Sequence, residues 1–176
     1  RGPRLRRPSG ARGPERSRVA DLRMRVVILG NSGSGKTTRA RALEADHGCA
    51  HLDLDSVAWA SPGTRRPLAE SEAAIRAFHD AHPAWVMEGS YARLAEIAAP
   101  LATAFWFLNP GVETCLAHAR QRPWEPEKYP SPEAQDQRLA FLLDWIRGYE
   151  TRDDEYGLAA HRAVFDAFDG PKQEIV

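Results

Sequence analysis

The chain is 176 residues long, and its 24 Lys and Arg balance its 24 Asp and Glu, so net charge gives no sign of a polyanionic partner. The balance hides an asymmetry: residues 1–23 carry eight arginines against Glu15 and Asp21, so everything after Arg23 is acidic overall. That remainder suits one domain with one core, which excludes a second catalytic domain, and its longest apolar runs fall far short of the ~20 residues that span a bilayer.

Residues 1–23 are rich in Gly, Pro, Arg and Ser and nearly devoid of large apolar side chains, so a disordered basic tail is expected there. The segment has neither the apolar core of a signal peptide nor the amphipathicity of a transit peptide. Its arginines suit a salt-sensitive arm for nucleic acid or anionic lipid. The alternative is an extension with no part in the chemistry, since Met24 stands just before the first strand. Cys49 and Cys115 match no metal or redox spacing, which points to structural thiols in a reducing cytoplasm rather than a zinc site.

The run Val26-Val27-Ile28-Leu29 is continuously apolar and reads as a central parallel strand buried on both faces. Residues 30–37 follow as G-x-x-x-x-G-K-T, the P-loop pattern, and a helix carrying Ala40, Ala42, Leu43 and Ala45 comes next. Gly30, Gly33 and Gly35 let the backbone curl so that the N–H groups of the loop, with Ser32 and Ser34 inside it and Thr38 behind, face a phosphate at the positive end of the helix. In such a loop Lys36 reaches the β- and γ-phosphates of ATP and Thr37 ligates Mg²⁺. A plain Gly/Ser turn is the alternative, and the strand before and helix after argue against it.

Residues 51–54 read as a short second strand ending in carboxylates. A Gly/Pro/Arg loop leads to a helix over 68–81, spaced by Leu68, Ala74, Ile75, Phe78 and Ala81. A third strand over 85–87 is closed by Glu88-Gly89-Ser90, a short helix covers 91–99, a fourth strand covers 104–108, and a helix covers 112–120. Residues 121–136, with prolines at 123, 126, 130 and 132, are expected to be irregular and lid-like. Two amphipathic helices over 137–149 and 158–168 and a final strand over 172–176 complete the chain. The alternation predicts an α/β domain with a parallel sheet and helices on both faces. Trp59, Trp85, Trp106 and Trp145 are expected in its core.

Ligands of open α/β sheets bind beyond the carboxyl ends of the strands, which places Asp53, Asp55 and Glu88 at the rim of the loop. A Mg·ATP site needs carboxylates near the metal, where Asp53 joins Thr37, and phosphoryl transfer needs one to orient or deprotonate the accepting hydroxyl. A cap or a solvated loop acid is the other reading of each. Arg120 and Arg122 bring positive charge suited to a transferring phosphoryl group, or simply complement a helix dipole. Of six histidines only His51, beside the carboxylate strand, stands out.

Taken together, residues 30–38, His51-Leu52-Asp53-Leu54-Asp55 and residues 85–91 resemble the small bacterial P-loop kinase-like proteins grouped with adenylate kinase, shikimate kinase and the DNA topology modulation proteins. The resemblance extends to residues 122–126 and 160–166. It implies a P-loop NTPase fold, a three-layer α/β/α domain of the nucleoside monophosphate kinase type over 24–176, with a five-stranded parallel sheet of order 2-3-1-4-5, a small lid and Mg·ATP as phosphoryl donor. Asp53-x-Asp55 is similar to a pair in shikimate kinases, and Glu88-Gly89 stands where adenylate kinases have Asp-Gly. Ser90-Tyr91-Ala92-Arg93 replaces the glycine run of the former and the Phe-Pro-Arg of the latter, so neither substrate is implied. The expectation is a cytoplasmic phosphotransferase, monomer or homodimer, acting on a small-molecule acceptor. A nucleotide-switched NTPase associated with nucleic acid is the alternative, and the acidic body argues against it.

Overall fold

The computed structural model describes residues 24–126 and 129–176. Residues 1–23, expected as a tail, and residues 127 and 128 within the expected lid lie outside them. In chain order the elements are β1 (Arg25–Gly30), α1 (Lys36–His47), β2 (Ala50–Asp53), α2 (Asp55–Ala58), β3 (Trp59–Ser61), β4 (Thr64–Arg65), α3 (Leu68–Ala81), β5 (Trp85–Gly89), α4 (Ala92–Ala98), β6 (Ala104–Leu108), α5 (Val112–Arg120), α6 (Pro132–Arg147), α7 (Leu158–Ala167) and β7 (Lys172–Ile175). The main sheet runs β2-β5-β1-β6-β7 with every pair parallel. Counted along the chain, its strands stand in the expected order 2-3-1-4-5.

The alternation of side chains along β1 explains why the sheet is covered twice. Val27 and Leu29 face one side, where Met87, Phe105 and Phe107 join Ile75 of α3, Leu94 of α4 and Phe165 of α7 in one core. Val26 and Ile28 face the other, against Ala40 and Leu43 of α1. A third apolar cluster joins Cys115 and Leu116 of α5 to Ile146 of α6. Fully burying one such large side chain contributes about 1.5–3 kcal/mol, so a strand buried on both faces anchors the loop that leaves its end.

Register places the site. Asp53 pairs with Glu88 across β2 and β5, and Leu29 lies beside Gly89 across β1 and β5, so the carboxyl ends of the three strands sit side by side where α1 begins. Glu88 and Gly89 belong to β5 itself rather than to a closing turn.

Three expectations are corrected. The Gly/Pro/Arg loop before α3 contains the one-turn helix α2 and the antiparallel hairpin β3–β4, whose turn places Gly63 at φ 77°, open to glycine. Helix α6 begins at Pro132, inside the stretch expected to be irregular: Ser131 caps it by accepting a hydrogen bond from the Ala134 N–H at 3.2 Å, and Pro132 takes a first-turn position that has no intrahelical donor to lose. Of the four tryptophans, Trp85 is fully buried, whereas Trp59, Trp106 and Trp145 are only partly so.

Candidate active site

The loop from Gly30 to α1 is built of positions that reject side chains. A Cβ on Gly30 would lie 2.4 Å from the Leu108 carbonyl oxygen of the neighbouring strand, and one on Gly33 would lie 2.4 Å from the Cys115 carbonyl oxygen of α5. Gly33 and Gly35 have φ of 76° and 92°, and Gly35 caps α1, whose first residue is Lys36. Helix α5 grips the loop from outside, since His118 Nδ1 lies 2.8 Å from the Gly33 carbonyl oxygen. Gly33→Ala is therefore expected to lower stability by about 2–4 kcal/mol, combining a left-handed conformation with a backbone clash. A shift in the urea midpoint without a change in slope checks it.

Inside the loop Ser34 is buried, its N–H donates to the Asn31 carbonyl at 3.2 Å, and its Oγ has no partner in the protein. Asn31 is held from beneath, donating Nδ2 to the Ile146 carbonyl at 3.3 Å. Lys36 is 8% exposed and donates Nζ to the Asn31 carbonyl at 2.8 Å. Burial pushes the Lys36 ammonium below the ordinary lysine pKa; the Glu88 and Asp55 carboxylates pull it back in part, and the Arg122 guanidinium adds to the depression. Ser32 is half-buried in the loop and Thr38 is exposed on the first turn of α1.

The Thr37 hydroxyl donates to Glu88 Oε1 at 2.8 Å, joining the start of α1 to the end of β5. Glu88 is 2% exposed, and His51 of β2 brings Nε2 to 3.6 Å from the same oxygen. Burial alone would raise the Glu88 carboxyl, but the His51 ring, the Lys36 ammonium and the Thr37 hydroxyl outweigh it and hold the group below the usual carboxylate range. Asp53 accepts the Asp55 N–H on Oδ1 at 2.9 Å, which fixes the turn into α2. Asp55 in turn accepts a short hydrogen bond from the Tyr91 hydroxyl, which itself accepts from Trp59 Nε1 at 2.7 Å. Burial, then the Asp55 charge, raises the Tyr91 pKa strongly, so the phenol stays a donor.

Lys36, Thr37, Glu88, His51, Asp53 and Asp55 thus gather at one rim. Arg122 joins them at a distance: it pairs with Glu125 at 3.1 Å and its charge is felt at Lys36. Arg120 is exposed at the last residue of α5, and among the described residues nothing ties it to the loop. Sequence reasoning passed over Tyr91, although it follows the third strand of the sheet as closely as Asp55 follows the second. It also passed over His161, fully buried, whose Nε2 lies 3.0 Å from the Ser90 carbonyl and whose Nδ1 lies 2.9 Å from the Tyr149 hydroxyl. A groove of about 790 Å³ lies elsewhere, between α4 and α7, and none of the loop residues lines it. Its walls carry alanines, Val164 and Phe168, with Arg93 set among several carboxylates at the rim.

No protein-family model and no curated protein matches the chain. The solved structures that it resembles include three kinases. A shikimate kinase from Acinetobacter baumannii in complex with shikimate is 19% identical, with 83% of this chain and 94% of that one covered and a TM-score of 0.42. A gluconokinase from Sinorhizobium meliloti is 17% identical over 88% and 84%, with a TM-score of 0.44. A sugar kinase from Janibacter sp. is 15% identical over 86% and 84%, with a TM-score of 0.48.

Proposed function

We propose that this chain is a small-molecule kinase, a phosphotransferase that moves the γ-phosphoryl group of ATP to a hydroxyl or phosphate acceptor. The observation that carries the reading is the junction of Lys36 and Thr37 with Glu88, with Asp53 and Asp55 at the next strand end. The donors present fit the nucleotide: left-handed glycines leave the loop backbone free to curl around an anion, and the buried Ser34 hydroxyl lacks any protein partner. They also fit Mg²⁺, which takes a few hard oxygen ligands beside phosphate and water. Thr37 and Glu88 supply such oxygens 2.8 Å apart, and Asp53 ends the strand alongside. Bound Mg·ATP supplies the phosphoryl group and neutralises part of its charge.

The residues of the chain divide the remaining work. Lys36, held in a buried position, meets phosphate charge that water would otherwise screen. Glu88 keeps the Thr37 hydroxyl oriented. Asp55, anchored by Tyr91, orients or deprotonates the accepting hydroxyl, and Asp53 fixes the turn that carries it. Arg122 offers a guanidinium to the transferring group, with Arg120 as the second candidate.

The reading is tested by acceptor-dependent ADP release over a panel of nucleosides, nucleotides, sugars and hydroxy acids. Asp55→Asn is expected to lower turnover on the order of 10²–10⁴-fold while leaving ATP affinity unchanged. ADP release that needs no acceptor and ignores the substitution would remove the kinase assignment.

A further inference from the structure

Beside Asp55 the fold gathers a cluster that the phosphoryl-transfer roles leave unused. The hairpin β3–β4 presents Arg65, whose guanidinium carbon lies 4.8 Å from the centre of the Tyr91 ring and 5.2 Å from that of Trp59. Those are the two rings whose polar ends meet and lead to Asp55. One Arg65 nitrogen, Nη2, donates to Glu155 Oε1 at 2.9 Å; the other, Nη1, is buried with no acceptor among the described residues. The next residue, Arg66, donates to the Trp59 carbonyl at 3.3 Å and buries an Nε that also has no acceptor. Among the described residues no carboxylate pairs with Arg66.

Buried donors without acceptors are uncommon in folded proteins, and here two fall on adjacent residues beside the rings that lead to Asp55. A guanidinium pinned between two aromatic rings and steered by a carboxylate has lost the freedom that would let it seek water. Its remaining N–H edge is set for a planar or tetrahedral oxyanion, the partner that fork geometry matches best. Trp59, which is only partly buried, also offers an apolar surface to the carbon frame of whatever brings that oxyanion.

We infer that the phosphoryl acceptor carries an oxyanion group, a carboxylate or a phosphate, in addition to its accepting hydroxyl, and that Arg65 binds it with Arg66 adding charge nearby. The inference rests on the kinase reading of the site and deepens it. Glu155 is a positioning residue in this arrangement: it aims Arg65 and competes with the ligand for its charge.

The test uses the full chain loaded with Mg²⁺ and a non-hydrolysable ATP analogue, so that the phosphate positions of the loop are filled. Inorganic phosphate and malonate are titrated into it by calorimetry at constant ionic strength. Both anions are expected to bind, and the tighter one identifies the group. Arg65→Met should weaken that binding about tenfold or more, whereas Glu155→Gln, which frees the guanidinium, should tighten it. Analogue binding in each variant reports whether the site is folded, and if Arg65→Met fails that control, the direction of the Glu155→Gln change decides. Normal analogue binding with no anion binding, or with binding indifferent to both substitutions, overturns this inference alone. Failure of the wild type to bind the analogue overturns the kinase reading and this inference with it.

Discussion

Lys36→Met is expected to weaken ATP binding on the order of a hundredfold or more while leaving the stability of the nucleotide-free protein within about 1 kcal/mol of its parent. The two halves have the same cause. Lys36 Nζ is buried against the Asn31 carbonyl at 2.8 Å, and burial lowers its pKa, so the folded protein gains little from holding a charge there. Methionine keeps the length of the side chain and removes that charge, which buries no new polar group. Glu88 loses one of the groups that hold its carboxyl down but keeps His51 and Thr37, so the larger loss appears when phosphate oxygens arrive in a site screened from water. A ligand at a hundred times its dissociation constant stabilises a protein by about 2.7 kcal/mol, so the wild type should show a clear Mg·ATP-dependent rise in melting temperature and the variant should show almost none. A variant that melts early without nucleotide would mean that Lys36 supports the fold, and one that keeps the nucleotide-dependent rise would mean that the loop does not bind phosphate through it.

The contrast between Lys36 and its partners shows what a sequence makes legible. The loop is contiguous: strand, glycines and helix start lie within a dozen positions, so local pattern alone locates it. Glu88, Asp53 and Asp55 were singled out by a rule of topology, that parallel strands present ligands at their carboxyl ends, and the register of β2 and β5 sets them beside the end of β1. Which of them touches which could not be read, because Thr37 and Glu88 are 51 positions apart and meet only through the register of β1 with β5. The hairpin β3–β4 escaped because its strands are three and two residues long, too short for any alternation, and Ser61-Pro62-Gly63-Thr64 reads as loop. That omission hid Arg65 and Arg66. The start of α6 was missed for the opposite reason: four prolines argued for irregularity, yet Pro132 directly after a serine is also a helix-start signal.

His161 was legible and overlooked. It falls three residues after Leu158 and four before Phe165 on one face of α7, the spacing of core positions, and a histidine at such a place must find partners for both nitrogens. The structure supplies them. Nε2 faces the Ser90 carbonyl and must donate, which leaves Nδ1 to accept from the Tyr149 hydroxyl, so the ring is held neutral. Burial is the main cause of a pKa lowered from 6.5 to about 4, with the Ser90 hydrogen bond opposing it. The linkage follows directly. Below pH 6.5 the unfolded chain takes up a proton that the folded protein refuses, so this group's contribution to stability is complete above 6.5. It is lost as the pH falls, until the folded ring is itself protonated near 4. At about 1.4 kcal/mol per pH unit the loss amounts to roughly 3 kcal/mol across that window. The partly exposed Glu174–Arg162 pairing, whose carboxyl is held down to about 2, contributes in the lower range between 4.5 and 2 and is separable on that ground. His161→Gln is expected to lower stability at neutral pH but to flatten its dependence between pH 6.5 and 4.5, as read by urea denaturation at a series of pH values. Because Ser90 directly precedes Tyr91, protonating or replacing His161 should also loosen the Tyr91 hydrogen bond to Asp55, so turnover should fall with acid before nucleotide binding does. An unchanged slope in His161→Gln would show that the acid sensitivity lies elsewhere, and a parallel loss of nucleotide binding and turnover would show that His161 acts on the whole fold rather than on the strand end that carries Tyr91.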